Sequence, residues 1–227
     1  MNAFGVIGGL GPETTSKFYL ELTRRFTGKS GYYPQILIDN VSFPKRLEEE
    51  IIQKCRNEQK MLPFLLRSVR NLNDGGAGFI VMPCNTLHIF IDKIRQESKI
   101  PVLSVIEETV KVVENKGYKK IGLLATSETI NSELFSNYFQ TVLPDKMEQN
   151  RISETVVKIL RNQVIEADKR FIREIIEKLI RRGADAIVLG CTDLQFVVNP
   201  RDFDVEIIDT LEVLIDSSFK RMIRGDL

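Results

Sequence analysis

Two stretches of this chain repeat each other. GAGFIVMPC at 76–84 and GADAIVLGC at 183–191 share a glycine–alanine pair, an Ile-Val step and a terminal cysteine. Further on, IPVLSVIEETVKVV at 100–113 is echoed by VEIIDTLEVLIDSS at 205–218. A duplication constrains the fold strongly, because both copies must suit the same supersecondary unit. AFGVIGGLGPE at 3–13 reads as a buried strand opening into a loop, followed by a helix over TTSKFYLELTRRF. PQILIDNVSFP at 34–44, 76–83 and 100–105 read as the next strands, with a helical stretch restarting near Pro63. The second copy offers a strand and loop over KKIGLLATSET at 119–129, and strands at 184–191 and 205–210. Its helix at 168–183 carries an apolar stripe (Phe171, Ile172, Ile175, Ile176, Leu179, Ile180) and stops at Gly183. Strands alternating with helices predict an α/β fold: two pseudo-symmetric, Rossmann-like lobes with parallel sheets. The expected division is 1–104, completed by a C-terminal helix over 211–227, and 105–210.

The 32 basic and 31 acidic residues among 227 leave a formal net charge of +1. Such a balance provides no single-sign field to gather nucleic acid or a membrane surface. No apolar run has bilayer length, and MNAFGVIGGLGPE lacks the basic start and long apolar stretch of a signal peptide, so the expected location is the cytoplasm. Three cysteines without disulfide spacing are expected as reduced thiols.

In parallel sheets, ligands gather beyond the carboxyl ends of strands. Cys84 and Cys191 both stand at such ends, so two facing lobes would present both sulfurs to one cleft. A cysteine opening a helix receives backbone N–H groups and the helix dipole, which predicts thiol pKa values below the ordinary one. A thiolate on one side of a bound carbon and a thiol on the other form a base and an acid, and together they invert that carbon. Stabilising the carbanion needs a dry cleft and fixed donors. Asn85, Thr86 and Thr192 beside the cysteines, with Thr126 and Thr129 in ATSET, are the candidate donors.

GVIGGLGPETTSKFY, MPCNTLH, LLATSET and LGCTDL together resemble the aspartate/glutamate racemase family, in particular its cofactor-independent aspartate racemase branch. The resemblance runs from residue 4 to about residue 215. It implies an active site between two lobes, no pyridoxal phosphate, no metal, a homodimer and an acidic amino acid as substrate. It implies Cys84 and Cys191 as the catalytic pair, Asn85, Thr86 and Thr192 as carboxylate-binding neighbours, and Thr126 and Thr129 as substrate contacts. Arg46 in FPKR matches a residue that holds the distal carboxylate, and Arg161 falls where relatives carry a lysine with that duty. The chain departs from the pattern at Lys45, where an aspartate is frequent, at Leu87, where alanine is usual, and at Asp193, where glutamate is frequent. With no histidine after Gly-Cys-Thr, aspartate, or a broader acidic amino acid range that includes glutamate, is favoured over strict glutamate specificity.

Other readings bear on the same residues. A hydantoin racemase, a maleate isomerase or an inactive acidic amino acid-binding homologue would suit the same scaffold. A lone histidine and no C-x-x-C argue against a zinc site. His88 is expected to support the helix start, Cys55 to be incidental, and KRLEEE to be an exposed helix start. TGKS at 27–30 is expected to be a turn. Thr126 and Thr129 are equally readable as helix caps.

Overall fold

The computed structural model describes residues 3–225. The first half runs β1 (Ala3–Gly8), α1 (Pro12–Ser30), β2 (Ile36–Asn40), α2 (Lys45–Lys54), α3 (Leu62–Asp74), β3 (Ala77–Val81), α4 (Ile91–Glu97) and β4 (Val102–Leu103). After α5 (Val105–Asn115) the second half follows with β5 (Lys120–Leu124), α6 (Ser127–Asn131), β6 (Gln140–Val142), α7 (Lys146–Leu160), α8 (Glu166–Arg181), β7 (Ala186–Leu189), β8 (Glu206–Asp209) and α9 (Thr210–Arg224). The strands form two four-stranded sheets, ordered β2-β1-β3-β4 and β6-β5-β7-β8, with every pairing parallel. The duplication is thus realised strand for strand.

The repeated residues do the same work in each sheet. Gly5 of β1 lies where an added Cβ would meet Ala77 Cβ at 2.9 Å and the Phe79 carbonyl at 3.1 Å. Gly122 of β5 meets the equivalent alanine, Ala184, at 3.3 Å, and also Ile187 Cδ1. The alanine of each repeated pair therefore packs against a central-strand glycine that has no room for a side chain. Ser104 caps α5 by accepting from the Glu107 N–H, and Asp209 caps α9 by accepting from the Leu211 N–H.

Three apolar clusters hold the layers together. Val105, Ile106, Val110 and Val113 of α5 and Leu211, Leu214, Ile215 and Met222 of α9 pack with Phe4 and Phe79 of one sheet and Ile121 and Val188 of the other. This middle cluster is shared, so neither sheet has a complete core alone. An outer cluster covers the first sheet with Leu47, Ile51, Leu65 and Val69, and another covers the second with Val156, Ile172, Ile176 and Leu179. Ile52 of α2 belongs to the second of these outer clusters, so α2 reaches across to the other half.

Several expectations need adjustment. The strand expected over 100–105 is two residues long, because Ser104 already caps α5. Thr27–Ser30 forms the last turn of α1, which continues through the exposed Gly28 to a left-handed cap at Gly31. β6, α6 and α7 have no counterpart in the sequence reading. The C-terminal helix expected over 211–227 is α9; residues 226 and 227, like 1 and 2, lie outside the described residues.

His88 ties the turn carrying Cys84 to the start of α5. Its Nδ1 donates to the Cys84 carbonyl at 2.7 Å, and its Nε2 accepts from the Val105 N–H at 3.2 Å. Both bonds require the neutral ring, and burial pushes its pKa down to about 4. The unfolded chain therefore binds the proton more readily between about pH 6.5 and 4, and His88 contributes stability that is lost on acidification through that window.

Two stability measurements check this account. Gly5→Ala should lower the unfolding free energy by about 1–3 kcal/mol, because rigid backbone and Cβ atoms occupy the space. Urea unfolding showing Gly5→Ala as stable as the parent would contradict that packing. The parent should also lose about 3 kcal/mol more than His88→Gln between pH 6.5 and 4. Parallel pH profiles for the two proteins would refute the neutral, buried ring.

Candidate active site between the sheets

Each cysteine ends a buried strand and opens a short 3-10 turn, Thr86–Phe90 after Cys84 and Leu194–Phe196 after Cys191. The strands stop in equivalent places because β3 and β7 occupy equivalent positions in their sheets. Both cysteines line one cavity of about 50 Å³ between the halves. Its polar wall consists of Glu48, Asn85, Thr86, Thr126, Thr192 and Asp193. Leu10, Phe43, Ile51, Ile52, Met61, Leu87, Val156 and Leu160 supply the apolar remainder.

The polar residues are fixed by bonds that cross between the halves. Thr86 and Thr126 hydroxyls lie 2.9 Å apart, Thr126 and Thr129 hydroxyls also 2.9 Å, and Thr129 donates back to Thr86 at 3.3 Å. Thr126 caps α6 as well, so its capping and site readings hold together. Thr192 donates to the Pro83 carbonyl at 3.2 Å. Asn85 Nδ2 donates to the Thr210 hydroxyl at 2.8 Å, whereas its buried Oδ1 has no partner. Thr14 of α1 donates to Asp193 Oδ1 at 2.6 Å. Gly11, at φ +49°, has no Cβ, and one there would lie 2.8 Å from that same oxygen. Both the left-handed backbone and the close approach require glycine.

Desolvation governs the ionisable groups. Cys84 is pushed up to about 12 by burial, against the lowering effect of the Leu87 and Thr86 N–H groups. Cys191 is raised well above the ordinary thiol range, by burial and then by Asp193. The expected lowering of the thiol pKa values is therefore overturned. The turns after the cysteines are single 3-10 turns rather than long helices, and their few N–H groups do not outweigh lost solvent and neighbouring acids. Asp193, which accepts from the Cys191 thiol at 3.8 Å, is raised to about 6, mainly by burial.

Seven of the nine expected site residues meet at this place: Cys84, Asn85, Thr86, Thr126 and Thr192 line the cavity with Cys191, and Thr129 bonds to them. The two arginines do not. Arg46 has a side chain 89% exposed and pairs with Glu50 at 3.0 Å. Arg161 follows α7 and pairs with Glu49 of α2. Among the described residues, no lysine, arginine or histidine lines the cavity, and no group of three or more metal-binding side chains occurs. KRLEEE is not simply an exposed helix start, since Leu47 is buried and Glu48 lines the cavity. Helical spacing carried that signal: Glu48 stands three and four residues before Ile51 and Ile52, on one face of α2.

Comparison with known proteins agrees with this architecture. The chain is 26% identical over 223 residues to the broad specificity amino-acid racemase RacX of Bacillus subtilis, covering 94% of this chain and 95% of that one. The structure of a Picrophilus torridus aspartate racemase superposes with a TM-score of 0.75 at 26% identity, covering 97% of this chain and 94% of the other. A putative Asp/Glu racemase from Yersinia pestis shares the fold at a TM-score of 0.83 and 24% identity, over 98% of this chain and all of that one. No helix among the described residues is long and apolar enough to cross a membrane. The sequence profile of the family described as Asp/Glu/Hydantoin racemase matches residues 7–217, and the chain belongs to that family.

Proposed function

We propose that the protein is an amino acid racemase working without a cofactor, with Cys84 and Cys191 as its two proton-transfer groups. The observation that carries this reading is the meeting of two strand-end cysteines from duplicated units in one cavity. One thiolate takes the α-proton. The opposite thiol gives its proton to the other face of the carbanion. The cycle ends with the two protonation states exchanged, ready for the mirror-image substrate.

Burial pushes both thiols up, and a cation beside a sulfur favours its thiolate. The substrate ammonium is a cation of that kind. Asn85 Oδ1 is a buried acceptor without a partner, and it suits that ammonium rather than a carboxylate. The Thr86, Thr126 and Thr192 hydroxyls offer donors for the α-carboxylate, on which negative charge accumulates as the proton leaves. Aspartate, the substrate implied by the resemblance, has the weakest support here. Both arginines assigned to its distal carboxylate are engaged by glutamates outside the cavity wall.

Cys84→Ala and Cys191→Ala should each reduce racemisation by at least about 10²–10⁴-fold, the usual worth of a positioned acid or base. In deuterated water each variant should still exchange the α-proton of one enantiomer, and the two should differ in which one. Racemisation at the parent rate by either variant would disprove the assignment. Exchange of both enantiomers by a single-cysteine variant would remove the two-base mechanism.

A further inference from the structure

Glu48 is the one charged side chain of α2 that lines the cavity, and nothing in the cavity neutralises it. Its neighbours Glu49 and Glu50 have basic partners, Arg161 and Arg46, but Glu48 has no hydrogen-bond or ion-pair partner among the described residues. Around it the wall is apolar: Phe43, Ile51, Ile52, Met61 and Leu160. Asp193, the second acid of the cavity, is already committed to Thr14 and Cys191. A dicarboxylic amino acid would bring its second carboxylate into a space with two acids and no cation, where like charges in low dielectric repel.

Taking the site as that of an amino acid racemase, we propose that Glu48 selects the substrate side chain, favouring an apolar stem that ends in a cation, as in lysine or ornithine, over aspartate and glutamate. The stem lies along the apolar wall and the terminal ammonium meets the Glu48 carboxylate. Lysine side chains are suited to such division, with a methylene stem against apolar surface and a charged end on a polar group. Burial, and then Asp193, raise Glu48 to about 7. An arriving ammonium removes that penalty by pairing with the carboxylate, so the acid gains most from a cationic ligand. Lys45 also lowers the Glu48 pKa, but it does not line the cavity. The glutamate positions the substrate side chain and takes no part in proton transfer at the α-carbon.

The test compares L-lysine, L-norleucine and L-aspartate on the parent and on Glu48→Gln. Norleucine has the same stem as lysine without its charge, so the ratio of the two reads the carboxylate alone. In the parent, kcat/KM for lysine should exceed that for norleucine, and both should exceed that for aspartate. Glu48→Gln should cut the lysine-to-norleucine ratio about 10- to 100-fold, the worth of a hydrogen bond to a charged group. Aspartate as the best parent substrate, or an unchanged lysine-to-norleucine ratio, overturns the proposal while leaving the racemase reading intact. Racemisation of no amino acid overturns that reading instead. Thermal stabilisation by the same three ligands then decides the role of Glu48: selective stabilisation of the parent by lysine, lost in Glu48→Gln, supports it, and equal stabilisation by all three overturns it.

Discussion

Two thiols, a buried aspartate and a half-buried glutamate face one small cavity that has no cation in its wall, and loss of solvent sets the charge of each. All four are held toward their neutral forms. A cationic group on the ligand favours the thiolate that proton transfer needs. An α-ammonium group brought into the cavity stabilises every anion there at once. The same dryness that pushes the thiols up strengthens each polar contact once a substrate is bound.

This arrangement depends on the shared middle core. Because α5 and α9 pack between both sheets, the carboxyl ends of β3 and β7 are held toward one another by burial rather than by a flexible connection. Thr14–Asp193, Thr192–Pro83, Asn85–Thr210 and the three-threonine cluster then set the finer geometry across the join. Apart from the Thr126–Thr129 bond, each of these has one partner in each half. A cavity built this way is complete only in the whole chain. α2 closes it from the side, with Ile52 packed on the far half and Glu49 paired with Arg161. The ion pair is partly exposed and of the kind that contributes about 0–1 kcal/mol, so the apolar contact of Ile52 holds α2 more firmly than the charges do.

The sequence carried the strand-end cysteines, the duplication, the glycine–alanine pairs and the threonines, because these follow from short patterns at fixed spacing. It did not carry the placement of Arg46 and Arg161. Leu47, Ile51 and Ile52 turn α2 so that Glu48 faces inward, and the rotation that does this leaves Arg46 in solvent. The sign of the thiol shifts also escaped a local reading, because helix-start N–H groups are local whereas burial is a property of the assembled halves. β6, α6 and α7 were missed for a related reason. Met147 and the rest of the α7 start are exposed, and the capping box of Asp145 and Glu148, rather than an apolar run, marks the beginning of that helix.

The most direct measurement is the structure of the protein with an amino acid bound in the cavity. The account predicts the α-carbon between the Cys84 and Cys191 sulfurs, each within about 3–4 Å and on opposite faces of that carbon, close to the separation of reacting atoms. Both sulfurs on one face, or an amino acid seated away from this cavity, would contradict it.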